Sequence, residues 1–360
     1  MPALSLILCS RNDHYMGNSL WRLQTALNYL AQQVAELGIE NEIEVLVTDW
    51  GSETPLRDAL KLSQLAAKLT SFIHVPKPLV DELQRDSPFA EVIALNAAAR
   101  RAKGKYIGRI DQDTLVGKRF LKAFRKRVQD GLPLAMGFAN LKMINYRFVV
   151  QCPSLSNVKR FVDLFGNHLQ TENSRSTGPY YFAGVGIWLL HRDLWFESGG
   201  YDERMIYMNA METNMILRLL PKYEMEDLGR LSNYDFYHLE HYHPWAVRKS
   251  STHRKVNPHL PFSQPDQLNP NGAGWGMRDY ALEVLPAGEG VGEQSDCSSF
   301  FWTLLRVGPA IIVDWVGLSI RRFVKKWQHR FSVFAETVKD QPIAAWPGLI
   351  KRRRADRQVF

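Results

Sequence analysis

The first 110 residues alternate short apolar runs with stretches of helical spacing, and no other feature limits the fold so strongly. Residues 4–9, 43–48, 71–75 and 106–110 read as strands. Between the first two, residues 19–37 carry Leu20, Leu23, Leu27, Leu30, Val34 and Leu37 at the spacing of one helical face. Helices are also expected over 55–69, with Pro55 near the first turn, and over the Ala-rich 89–102, which Gly104 ends. This βαβαβαβ order calls for right-handed crossovers and an α/β fold with a mostly parallel, doubly wound sheet. In such sheets ligands sit beyond the carboxyl ends of the strands. Ser10-Arg11-Asn12 follows the first strand, Asp49 the second, and Asp111 and Asp113 the fourth.

Asp111-Gln112-Asp113 is the most pointed of these groups. Two carboxylates one residue apart at a strand end face the same side of the sheet edge. Such oxygen ligands suit Mg²⁺ or Mn²⁺, ions that stay partly hydrated and bind a substrate phosphate. The pair is therefore a candidate site for a nucleoside diphosphate, set against the plainer readings of a solvated turn or an N-cap for the next helix. Further on, 116–128 reads as a helix, 135–150 as strands, 181–191 as a strand, 193–198 and 211–220 as helices, and 234–238 as a strand. Residues 257–297 are rich in Pro, Gly, Asn and Gln and read as a connector or a loop laid over the body.

Cysteine is sparse: Cys9, Cys152 and Cys297 form no C-x-x-C pair. That argues against a disulfide framework or a zinc–thiolate site and suits a reducing compartment. A strand-like run begins at Leu4 with no signal-peptide pattern before it, so a cytoplasmic location is expected. The net charge of +8 is uneven: residues 300–360 hold 12 Lys/Arg against 4 Asp/Glu, and residues 1–299 hold 33 of each. The excess belongs to the last sixty residues, which points to a separate role at an anionic surface.

Taken together, these stretches resemble the GT-A glycosyltransferases, specifically family 2. Leu6-Ile7-Leu8-Cys9-Ser10-Arg11-Asn12 is similar to that family's first strand and nucleotide loop. Val45-Leu46-Val47-Thr48-Asp49 resembles its second strand, and residues 94–110 followed by Asp111-Gln112-Asp113 resemble its helix-strand-DxD segment. Phe182-Ala183-Gly184-Val185-Gly186, Arg192 and Gly199-Gly200-Tyr201-Asp202-Glu203 are similar to the acceptor-side stretch. The coverage is residues 3–245. One departure stands out: the family usually has Glu-Asp where this chain has Glu212-Thr213.

The resemblance implies a metal-dependent transferase that uses a nucleotide-sugar, with UDP-sugars first among donors, and acts with inversion on a saccharide or glycolipid acceptor. Asp113 is expected to bind Mn²⁺ or Mg²⁺ directly, and Asp111 to face the ribose or a metal-bound water. A metal-binding His is implied after a later strand, with His238 favoured and His241 and His243 as alternatives. Donor binding falls to Ser10, Asn12, Asp49, Asn96, Arg100 and Asp111, with Arg11 and Lys103 as further basic candidates. Glu212 is the candidate general base, against a plainer role capping its own helix. Asp202 and Glu203 are expected to bind the acceptor or close the turn after Gly199-Gly200. The competing reading is a GT-A-fold binding protein that has lost turnover, with Thr213 as its motive. A nucleotidyltransferase would need a Gly-rich phosphate loop after the first strand, and none is present.

The expected organisation is a catalytic domain over 1–250, with a nucleotide half to 115 and an acceptor half from 116. A connector over 251–298 and a basic amphipathic region over 299–360 follow. Residues 299–320 are apolar but contain Arg306, Pro309 and Asp314, which disfavours a membrane span. Ile320, Phe323, Val324, Trp327, Phe331 and Phe334 share one helical face, with Arg321, Arg322, Lys325, Lys326 and Arg330 on the others. That is the pattern of a helix lying at an anionic membrane surface, and Lys351-Arg352-Arg353-Arg354 adds a second basic cluster. No motif supports nucleic-acid binding.

Overall fold

The computed structural model describes residues 1–131, 134–169, 185–207, 211–241, 257, 267–288 and 300–313. Its strands are β1 (Leu4–Ser10), β2 (Ile43–Trp50), β3 (Thr70–Val75), β4 (Tyr106–Arg109), β5 (Thr114–Val116), β6 (Met136–Asn140), β7 (Lys142–Ile144), β8 (Val185–His191), β9 (Met225–Asp227), β10 (Phe236–Leu239) and β11 (Val284–Pro286). Eight form one sheet in the order β11-β3-β2-β1-β4-β8-β6-β9. β3, β2, β1 and β4 run parallel, β8 runs against both β4 and β6, and β9 runs with β6. The fold is therefore the expected Rossmann-like, mostly parallel α/β sheet. The chain order reverses between β2-β1 and β1-β4, so a crevice opens at the carboxyl ends of β1 and β4.

Side-chain alternation on β1 builds two cores. Leu4, Leu6 and Leu8 join Leu23, Leu27 and Leu30 of the helix Ser19–Leu37 on one face. Ile7 joins Ile93, Ala94 and Ala97 of the helix Glu91–Arg101 on the other. The alanines let that helix lie close to the sheet, and Gly108 does the same within it: a Cβ there would meet Ile187 Cδ1 at 2.7 Å.

A second sheet, β5-β10-β7, stands beside the first. β10 is antiparallel to β5, with His238 opposite Thr114, and parallel to β7. Leu239 N–H donates to the Asp113 carbonyl at 3.0 Å. This pairing brings the 234–241 segment to the Asp-x-Asp loop.

Several elements differ from the sequence pattern. The helix expected over 55–69 is two short ones, Leu56–Ala59 and Gln64–Leu69, because Ser63 caps the second by accepting from Ala66 N–H. Residues 135–150 hold two strands and then a helix, Tyr146–Val149, capped by Asn145. The helices Lys77–Gln84 and Leu155–Phe165 were not anticipated, although Pro78 in the first turn of one and Ser154 at the cap of the other mark their starts. Residues 267–288 lie over the body: Arg101 donates to the carbonyls of Gly276 and Met277, and β11 adds to β3 antiparallel.

The chain divides into compact units at 1–304 and 305–360. No helix among the described residues is long and apolar enough to cross a membrane. Phe182-Ala183-Gly184, His243, the amphipathic stretch 320–334 and the basic cluster 351–354 lie outside the described residues.

Candidate active site

Asp113 ends the Asp-x-Asp loop as a nearly buried carboxylate whose oxygens face two imidazoles. His238 Nδ1 lies 3.2 Å from Oδ1, and His241 Nε2 lies 3.6 Å from Oδ2. One ligand atom from each of the three falls within 4.8 Å of the others. A divalent cation could touch all three after small side-chain rotations, so these residues fit a metal ion. Two imidazoles and one carboxylate depart from the all-oxygen set that Mg²⁺ favours and suit a divalent transition-metal ion. The structure therefore brings in His241 together with the favoured His238.

Arg22 closes the same cluster from the other side. Its guanidinium is 1% exposed and reaches Asp113 Oδ2 through Nε at 3.2 Å. Its remaining N–H groups donate to the carbonyls of Tyr15 (3.0 Å), Met16 (3.4 Å) and Gly17. Those carbonyls turn inward because Met16, Gly17 and Asn18 all take left-handed conformations, at φ of 53°, 69° and 50°. Burial pushes the Asp113 carboxyl up, but His238, His241 and Arg22 outweigh it and hold it well below the usual carboxylate range. Asp113 is thus kept ionised, as a metal ligand requires.

On the opposite side, Arg109 gathers three carboxylates. Its Nη2 lies 2.6 Å from Asp111 Oδ1 and 2.7 Å from Glu91 Oε1, and its Nε lies 3.6 Å from Glu212 Oε1. Burial disfavours the Arg109 charge, but Asp111, Glu212 and Glu91 together outweigh that and hold it protonated. Glu212 sits in the first turn of the helix Met211–Leu219. Burial raises its carboxyl above the ordinary range; Arg109 opposes the rise and Glu91 adds to it. A mostly buried carboxylate with a raised pKa next to a strand-end Asp is what general-base work calls for. Between the two sides, Ser10 at the end of β1 donates its hydroxyl to Gln112 Oε1 and pins the middle of the loop.

No protein-family model and no curated protein matches the chain. Solved structures do. One is TarS of S. aureus, at 17% identity over 67% of this chain and 37% of that one, with a TM-score of 0.44. TarS 1–349 in complex with UDP-GlcNAc is another, at 15% identity over 67% and 59%, TM-score 0.41. A third is the mannosyltransferase PcManGT from Pyrobaculum calidifontis in complex with GDP-Man and Mn²⁺, at 17% identity over 63% and 54%, TM-score 0.37. The chain thus spans less than two thirds of these solved chains.

The remaining expected residues sit as follows. Asn12 lines the loop after β1; its N–H donates to Ser52 Oγ at 2.8 Å and its amide to the Thr54 carbonyl at 3.0 Å. Asp49 is buried and accepts from Ser52 Oγ and from Leu56 N–H at 2.8 Å, with His74 Nδ1 at 3.1 Å, so it shapes the neighbouring loop. Asn96 turns to Tyr201 and Glu203 instead of the crevice, bonding the Tyr201 carbonyl (2.8 Å), the Tyr201 N–H (2.8 Å) and Glu203 Oε1 (3.0 Å). Arg100 donates to the Ala273 carbonyl and stacks on Trp275 at 4.8 Å. Asp202 is clasped by Arg204 at 2.6 Å, and Glu203 accepts from Gly276 N–H at 2.7 Å. Both carboxylates are thus engaged by neighbouring groups of the protein. Arg100 and Glu203 act here as struts that hold residues 267–288 on the body, and Asn96 ties Tyr201 and Glu203 to its own helix.

Sequence reasoning missed Arg22, Arg109 and Glu91. Arg109 had a signal, a charge inside an otherwise apolar strand next to Asp111. Arg22 and Glu91 lie on helices and look like ordinary polar positions until the fold is known.

Proposed function

We propose that this chain is a metal-dependent GT-A glycosyltransferase of family 2. It moves a sugar from a nucleotide-sugar, a UDP-sugar first among candidates, to a saccharide or glycolipid acceptor with inversion, in polysaccharide or glycoconjugate synthesis. The observation that carries this reading is the convergence at one strand end of two devices. Asp113, His238 and His241 can hold Mn²⁺, and Glu212 is tied through Arg109 to Asp111, the other carboxylate of the same loop.

A bound cation would neutralise charge developing on the leaving diphosphate. The protein's own residues do the rest. Asp113 stays ionised under Arg22, Ser10 fixes Gln112 and with it the loop, and Asp111 offers a carboxylate to the ribose. The acceptor oxygen bonds the anomeric carbon as the bond from that carbon to the diphosphate oxygen breaks. Its proton goes to Glu212, a step worth roughly 10²–10⁴-fold.

Release of nucleoside diphosphate from UDP-, GDP- and dTDP-sugars with Mn²⁺ tests this reading. Hydrolysis of one donor, abolished by EDTA and by Asp113→Ala, supports it. Hydrolysis that persists in Asp113→Ala sinks it. Thr213 beside Glu212 favours one other reading, a binding protein without turnover. Tight Mn²⁺-dependent UDP binding with no release from any donor, with or without oligosaccharide acceptors, would select it.

The reaction is further proposed to occur at the cytoplasmic face of a membrane, held there by the basic C-terminal region. The support is the charge excess over 300–360 and the exposure of Phe301 and Trp302. Flotation with anionic liposomes at low salt tests it, and protein left at the bottom of the gradient removes the idea.

A further inference from the structure

Glu91 has no part in the chemistry above, yet it is mostly buried and aimed at the same guanidinium as Glu212. Arg109 Nη2 takes Glu91 at 2.7 Å and Asp111 at 2.6 Å, which leaves the Nε edge to Glu212 at 3.6 Å. That last contact is an ion pair without a hydrogen bond: neither Arg109 Nε nor Glu212 Oε1 has a hydrogen-bond partner among the described residues. We infer that Arg109 and Glu91 are positioning residues for the base, Arg109 holding Glu212 through its Nε edge while Glu91, sharing Nη2, limits how firmly that guanidinium draws on it. The inference rests on the reading of Glu212 as the base.

The guanidinium charge is shared. A single guanidinium facing one buried carboxylate makes a tight pair and a poor base, because the ionised form is stabilised. Here the same positive charge is divided among three carboxylates. Glu91 adds a negative charge beside Glu212, so protonation of Glu212 costs less than in a two-member pair. The groups facing Glu212 among the described residues are Arg109 and Asp111 from β4 and its loop, Glu91 from its helix, and the Tyr201 hydroxyl. That hydroxyl is buried without a hydrogen-bond partner among the described residues, and burial keeps it neutral. Cys9 at the end of β1 faces Glu91 and Arg109 and is also kept neutral by burial. Arg109 is therefore the one cation in the group and Glu91 the one carboxylate with no proposed contact to substrate. Removing each should move Glu212 in opposite directions.

The test is a carbon-detected NMR titration of the full chain with ¹³C-labelled glutamate carboxyls, the Glu212 resonance being assigned by its loss in Glu212→Gln. Glu91→Gln should lower the Glu212 midpoint, and Arg109→Gln should raise it. Should Arg109→Gln fail to fold, Arg109→Lys replaces it; an ammonium cannot serve both edges, so the rise is again expected. A Glu212 midpoint that stays fixed or rises in Glu91→Gln overturns the inference, as does one that falls in the Arg109 variants. The acid limb of donor hydrolysis should follow the same displacements. Midpoints that move as expected while Glu212→Gln retains turnover would leave the charge coupling standing and remove Glu212 as base. Fixed midpoints with turnover abolished in Glu212→Gln would do the reverse.

Discussion

Replacing Arg22 by Met should destabilise the fold more than a change at any exposed arginine. The Arg22 and Asp113 side chains are 1% and 3% exposed and 3.2 Å apart. At an effective dielectric of about 20, their attraction is about 5 kcal/mol. Removal of one member of such a buried pair typically costs about 3–5 kcal/mol, because the other charge is left without compensation. The carbonyls of Tyr15, Met16 and Gly17 lose their donor as well. In a domain of this size each kcal/mol lowers the melting temperature by about 2 °C, so a fall of roughly 6–10 °C is expected. Thermal melts of the parent and the variant in one buffer check this. The double variant Arg22→Met with Asp113→Asn should recover much of the loss, since no charge then remains unpaired. Mn²⁺ should also stabilise Arg22→Met more than the parent, by replacing the cation at Asp113. A double variant as unstable as Arg22→Met alone, together with no Mn²⁺ effect, would refute the pairing argument.

Other outcomes follow from the same geometry. Glu212→Gln should abolish most turnover yet raise the melting temperature at neutral pH. Its carboxyl is raised in the fold, so the wild type loses stability as pH climbs from the ordinary carboxylate range through the raised value. The gain should be full above that window and vanish below it, and melts across pH check this. Gly186→Ala should weaken Mn²⁺ binding in calorimetry, because its Cβ would lie 2.7 Å from Phe236 Cβ and push on the strand that carries His238. His238→Ala and His241→Ala should each lower Mn²⁺ affinity; equal affinity in His241→Ala would reduce the site to one histidine.

The sheet was legible because its evidence is local. An apolar alternation on β1, a leucine face over Ser19–Leu37 and an Ala-rich helix over Glu91–Arg101 each report their own burial. Asp113 and His238 were legible through position: one follows β4, and the other lies in β10. The partners of Asn96 and Arg100 were not legible, because a polar residue on a buried helix face can bond a ligand or a distant loop equally well. Their partners, Tyr201, Glu203 and Ala273, are more than 100 residues away. The split of the helix over 55–69 turns on Ser63, whose capping bond competes with helical propensity that favours continuity.

Arg22 and Arg109 explain why two carboxylates one residue apart can do different work. Asp113 meets an arginine from the first helix and two imidazoles, one in β10 and one just beyond it, and it is buried and fixed. Asp111 meets an arginine from its own strand; its side chain is 34% exposed and open to the crevice. The first arrangement holds one carboxylate rigid and ionised. The second leaves a carboxylate anchored at one oxygen with the rest free to meet a ligand. Rigid and receptive halves of one Asp-x-Asp are what a site needs to hold a cation in place while a nucleotide comes and goes. The division is set by neighbours on other elements and not by the motif.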